Sequence, residues 1–91
     1  MMHEFVKYPD GTLVVFSDIR KKENGDEYIR ICFERPTQNG FDTVIFELPG
    51  YKIVKRDGKY SNAEVKMFKQ VVERGAAFFF ETARKSGVES A

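Results

Sequence analysis

The sequence predicts an α+β domain: an antiparallel β-meander of four to five strands with one long C-terminal helix packed on one face. Three observations predict it. Turn dipeptides punctuate the first two-thirds of the chain. The runs between them alternate apolar and polar residues with period two. After residue 60 the apolar period becomes that of a helix, behind a capping signal.

The first run, 3–8, ends at Pro9-Asp10-Gly11. There Pro presets φ and Gly takes the positive-φ position. The second run, 12–19, contains Leu13-Val14-Val15-Phe16. It is apolar on both faces, which argues for a central strand whose second face is partly covered. Arg20-Lys21-Lys22, followed by Glu23, Asp26 and Glu27, reads as a solvated hairpin tip around Asn24-Gly25. In the third run, 27–35, Ile29, Ile31 and Phe33 share one face, opposite Tyr28, Arg30, Cys32 and Glu34. Asn39-Gly40 is a second Asn-Gly pair. Both pairs suit type I′ hairpin turns, which need φ > 0 twice. In the fourth run, 41–48, Val44, Phe46 and Leu48 oppose Thr43, Ile45 and Glu47. Pro49-Gly50 fits a type II turn. A weaker fifth run, 51–56, ends at Asp57-Gly58. Short loops between sequential strands make a meander.

Ser61-Asn62-Ala63-Glu64 is a capping box, in which Ser61 and Glu64 each bond the other's backbone N–H. Gly87 suits a C′ stop, with Arg84 and Lys85 in a last turn where cations favour the dipole. The helix then covers about 61–86, the meander about 3–56, and one domain spans 1–91. The expected core is Phe5, Val14, Phe16, Ile29, Ile31, Phe33, Val44, Phe46, Leu48, Val65, Phe68, Val72 and Phe79.

Phe78-Phe79-Phe80 interrupts an otherwise simple helix. At about 100° per residue, Phe79 falls mid-arc among Phe68, Val72, Val65 and Ala83. Phe78 lies at one border, beside Met67 and Val71. Phe80 lies at the other, among Lys69, Glu73 and Arg84, where the sheet is not expected to reach. The apolar arc spans roughly 220°, wider than the stripe one sheet face buries. One border therefore needs another cover: the N-terminal strand or segment 51–60, a second copy of the chain, or a different protein. Ala76 and Ala77 precede Phe80 by four and three residues and permit close approach. The candidate protein interface is accordingly Met67, Ala76, Ala77, Phe78, Phe80 and Arg84, with a homodimer or another protein as partner.

Fifteen Lys and Arg balance fourteen Asp and Glu, a formal charge of +1. That gives no electrostatic reason to expect nucleic acid or an anionic membrane. No apolar run approaches the ~18 residues of a membrane span. The N-terminus lacks a basic-then-apolar leader, so the cytoplasm is the expected compartment. The single cysteine, Cys32, forms no intramolecular disulfide and reads as a small strand hydrophobe.

No Cys/His cluster has zinc spacing, and no glycine-rich loop precedes a helix. No metal, cofactor or catalytic residue is expected. The single histidine, His3, neighbours Glu4, but adjacent strand residues point to opposite faces. Ser17-Asp18 has no histidine within reach in sequence. Glu34 and Glu47 are candidate cross-strand neighbours on the outer face, with Arg30 a candidate ion-pair partner. A second binding candidate is the open sheet face, where Tyr28, Arg30, Cys32, Thr43 and Ile45 offer a stacking surface for single-stranded bases. One tyrosine and one arginine are a thin set for that purpose, and the RNA-recognition aromatic pattern is missing.

Two resemblances follow. Residues 3–11, Phe33-Glu34-Arg35-Pro36-Thr37 with Gly40-Phe41-Asp42, and Phe46-Glu47-Leu48-Pro49-Gly50-Tyr51 resemble short uncharacterised proteins of gut Firmicutes, often encoded near mobile elements. This covers most of the chain and implies a bacterial cytosolic origin, with no activity attached. Asn39-Gly40-Phe41, the strand to Leu48-Pro49-Gly50 and the following helix are similar to HicB-type antitoxins over about half the chain. That resemblance implies protein binding by a sheet-and-helix surface. The acidic position before LPG is matched only by Glu47, and the segment before the helix is longer here. The family's following DNA-binding domain is missing, which puts a repressor role in doubt.

Overall fold

The computed structural model describes residues 2–90, with side chains through residue 85. It is α+β, as the sequence predicts. The strands are β1 Met2–Lys7, β2 Leu13–Ser17, β3 Arg20–Lys21, β4 Glu27–Thr37, β5 Gly40–Leu48 and β6 Lys52–Asp57. One helix, α1, spans Asn62–Ser90. The sheet order is β1-β2-β4-β5-β6, all antiparallel, and the two-residue β3 pairs only with β4. β1 and β6 are the edges. The helix packs on β2, β4 and β5 and leaves the other sheet face open.

The alternation read in the sequence sets this arrangement. Ile29, Ile31 and Phe33 of β4 stand opposite Leu48, Phe46 and Val44 of β5. All six are fully buried under Phe68, Val72 and Phe79 of the helix. The rings of Phe33 and Phe68 stack with centroids 4.2 Å apart. Ala83, in the same helical arc as Phe79, joins the core, and so do Tyr60 and Thr12, which the pattern does not place there. β2 is internal and apolar on both faces. Val14 and Phe16 face the helix fully buried, while Leu13 and Val15 lie half-buried on the open face.

Phe5 departs from the expected core. The ladder of β1 on β2 slips between Glu4 and Val6, so Phe5 is the extra residue of a β-bulge. It is 39% exposed, with its ring against Phe79 (4.9 Å) and Phe78 (5.6 Å). Val6 takes the inward position opposite Val14 instead.

The turns differ from expectation in type, not in place. Only the glycine of each Asn-Gly pair has positive φ, at 91° for Gly25 and 142° for Gly40, so neither turn is type I′. At Lys22–Asp26 the Gly25 N–H bonds the Lys22 carbonyl and the Lys22 N–H bonds the Asp26 carbonyl. Tyr8–Thr12 repeats that pattern around Gly11. Both are tight turns followed by a left-handed glycine, the three-residue hairpin loop. At Leu48-Pro49 the peptide is cis, and Tyr51, not Gly50, carries the positive φ (55°), so the type II assignment fails there.

The capping box forms as predicted. The Ser61 N–H donates to Glu64 Oε1 at 2.8 Å, and the Glu64 N–H to Ser61 Oγ at 3.1 Å. The predicted stop does not hold: the helix continues through Gly87 to Ser90, so Arg84 and Lys85 are not its last turn. A glycine inside a helix costs only about 1 kcal/mol, too little by itself to end one.

Candidate functional site

The six helix residues singled out by sequence fall on two different borders. Met67 and Phe78 are half-exposed on the border beside β1, with Val71 half-buried between them. A groove there is lined by Phe5, Val6, Tyr8, Val71, Arg74 and Gly75. Phe78 touches Phe5 and, more distantly, Phe16. Gly75 shapes this border: a Cβ on it would meet the Phe79 ring at 2.8 Å. A helical side chain leans back over the preceding turn, so Phe79 lies over Gly75 and reaches Phe5.

On the other border, Phe80 is half-buried and packed on the core. This corrects the expectation that the sheet side would leave Phe80 uncovered. Arg84 donates to Glu27 Oε1 at 3.1 Å, tying the helix to the start of β4. Ala76 is half-buried and Ala77 exposed. The uncovered phenylalanine is therefore Phe78, and it continues onto an edge strand. With Met2 and Phe5 of β1, Met67 and Phe78 account for four of the six large hydrophobics exposed by 39–59% among the described residues. Phe41 and Ile53 are the other two and lie on β5 and β6.

The open sheet face carries Tyr28, Arg30, Cys32, Thr43 and Ile45 as expected, but it is not a free stacking platform. Lys22 Nζ and Arg30 Cζ lie 5.6 and 5.7 Å from the Tyr28 ring centroid. Cys32 is only 8% exposed, in a row with Val15 and Ile45. Burial, and secondarily Glu34, pushes its thiol up to about 11, so it stays protonated and weakly nucleophilic near neutral pH. Glu34 faces Thr43 and Glu47 faces Arg30, so the two carboxylates are not cross-strand neighbours. Glu47 instead binds Lys22 at 2.8 Å and Arg30 at 3.7 Å. The Lys22 bond holds the Glu47 carboxyl below the usual range, as expected for an ion pair rather than an acid catalyst.

Two polar arrangements were not read from sequence. His3 does reach Asp18: antiparallel pairing sets His3 opposite Phe16 and brings Nε2 to 2.6 Å from Asp18 Oδ1. The larger arrangement centres on Arg35. Its Nε and Nη2 donate to Asp42 Oδ2 at 3.1 and 2.8 Å. Its Nη1 donates to Asp10 at 3.1 Å and Glu64 at 3.2 Å. The guanidinium also lies 4.5 Å from the Tyr60 ring centroid, and the Tyr60 hydroxyl pairs with Thr12 Oγ1 at 2.9 Å. Asp42 is 4% exposed and also accepts the Lys59 N–H at 2.8 Å. That N–H and then Arg35 hold its carboxyl below the usual range, while the Asp42 bonds raise Arg35 further. Gly58 makes this fit possible: with φ +89°, a Cβ there would sit 2.8 Å from Asp42 Cα. Four segments distant in sequence are joined at one guanidinium. This is a structural clasp, since each carboxylate already has a partner.

Among the described residues no three His, Cys, Asp or Glu are placed to hold a metal ion, and no helix is long and apolar enough to cross a membrane. Comparison with protein-family models, curated proteins and solved structures found no match to this chain.

Proposed function

We propose that this protein is a small interaction module that self-associates through the border between β1 and the helix. The observation that carries this reading is the exposed apolar residues Phe5, Met67 and Phe78 on that border, joined by the Phe5–Phe78 ring contact. Grouped exposed hydrophobics of this size are characteristic of protein contact surfaces. They flank an edge strand, whose outer backbone groups are open to pairing with another chain. The other sheet edge is unlike it. Lys52, Lys55 and Arg56 of β6 are all exposed, a common protection against edge pairing.

Protein binding by a sheet-and-helix surface is also what the HicB-type resemblance implies. Nucleic-acid binding on the open face draws less support. The Tyr28 ring is engaged by Lys22 and Arg30, and both cations also pair with Glu47.

Light scattering after size exclusion tests the proposal. Wild type is expected to shift from monomer toward dimer with rising concentration. Phe78→Glu is expected to stay monomeric with unchanged circular dichroism, because Phe78 is half-exposed and its loss leaves the core intact. A wild type that is monomeric at millimolar concentration would refute self-association.

A further inference from the structure

Edge strand β1 has a feature that specifies how a second copy sits on it. Residues 4 and 7 of a regular strand point to opposite faces. Here the bulge at Phe5 changes that. Glu4 pairs with Val15 and Lys7 with Leu13. Val15 and Leu13 are two apart on the regular strand β2, so they share the open face. Glu4 and Lys7 therefore share it too, and both line one shallow groove with Leu13 and Glu34. Both are exposed, and neither forms an ion pair with another described residue. An acid and a base on one face of an edge strand, each without an ion-pair partner among the described residues, are self-complementary under two-fold symmetry.

We propose that two copies of the chain pair β1 to β1, antiparallel about a two-fold axis between Phe5 and Val6. Glu4 of each copy then lies opposite Lys7 of the other, twice per dimer. This rests on the self-association proposed above and adds its orientation and register. In the same register Phe5 lies opposite Val6 of the second copy, on the helix side. The two Phe5–Phe78 patches are thereby brought to the same side of the joined sheets. A C2 interface of this kind uses one patch on both subunits, so no second binding surface is needed. The β6 edge carries three exposed cations, Lys52, Lys55 and Arg56, and its one acid, Asp57, already pairs with Lys55 at 3.6 Å.

The test is a charge exchange read by sedimentation velocity, with wild type, Glu4→Lys, Lys7→Glu, the double reversal, and an equimolar mixture of the two single variants. Each single variant puts like charges opposite each other twice. Its dimer dissociation constant is expected to rise by about tenfold or more. The double reversal restores both pairs and is expected within about threefold of wild type. The mixture is expected to form a heterodimer that neither variant forms alone, because the Glu4→Lys copy is basic at both positions and the Lys7→Glu copy is acidic at both. If the single variants dimerise as wild type does while Phe78→Glu remains monomeric, the strand register is wrong and self-association stands. If the mixture stays monomeric, the register is also wrong. A monomeric wild type overturns both.

Discussion

Phe79→Ala is expected to lower stability by about 3–5 kcal/mol, the range for truncating a fully buried aromatic residue. Phe79 has no exposed surface and its ring meets Phe5, Phe16 and Phe78. Removing it opens a cavity at the junction of helix, β1 and β2. Its two neighbours provide internal controls at the same helix depth. Phe80→Ala removes a half-buried ring and should cost less. Phe78→Ala removes a ring that is 50% exposed and should cost least, below about 1.5 kcal/mol. Urea denaturation at low protein concentration separates these effects from association. An order other than Phe79, Phe80, Phe78 would overturn the assignment of one ring to the core, one to its flank and one to the surface.

Arg35→Met is expected to lower the unfolding midpoint by about 10 °C or more. The loss is not one salt bridge on the surface. Removing the guanidinium leaves Asp42 buried with only the Lys59 N–H, and it releases Asp10, Glu64 and the face of Tyr60 at once. A buried charge without its partner is the costly outcome, more so than losing the attraction itself. Arg35→Lys should recover part of the loss, since an ammonium keeps the charge but cannot address three carboxylates with a planar fork. The pH dependence has a defined sign. Asp42, Asp10 and Glu64 have folded-state pKa values below their ordinary ones, through the Lys59, Thr12 and Ser61 N–H groups first and through Arg35 after them, so only the Arg35 share distinguishes the two proteins. Their contribution is fully present above about pH 5 and is lost as pH falls through the folded values. Wild type should therefore lose stability below about pH 4 more steeply than Arg35→Met. Parallel pH profiles for the two proteins would contradict the clasp.

The fold was legible where side-chain period decides it. Ile29, Ile31, Phe33, Val44, Phe46 and Leu48 go inward because one face of β4 and β5 is apolar and the other is not. The Ser61–Glu64 cap was legible because both partners lie within one turn. What escaped depends on register or on segments far apart in sequence. Phe5 was placed too deep because a one-residue bulge, which no turn dipeptide announces, gives the inward position to Val6 and leaves Phe5 at the exposed rim of the helix side. The Arg35–Asp42 pair follows from the β4–β5 register, which the Asn39-Gly40 turn fixes. Its extension to Glu64 requires knowing where the helix begins to cross the sheet. A helical wheel gave the direction of Phe80 correctly but not how far the core extends beneath it, so the exposed border was assigned to Phe80 rather than to Phe78. The His3–Asp18 contact was missed for a simpler reason: the two are fifteen residues apart and meet only across an antiparallel pair.

Backbone amide exchange, followed residue by residue at two protein concentrations, tests association through β1 most directly. Association there predicts that amides of Met2–Lys7 exchange more slowly at high concentration than at low. Those of Lys52–Asp57, on the opposite edge, should not change. Concentration-independent exchange along β1, or slowing at β6 instead, would contradict it.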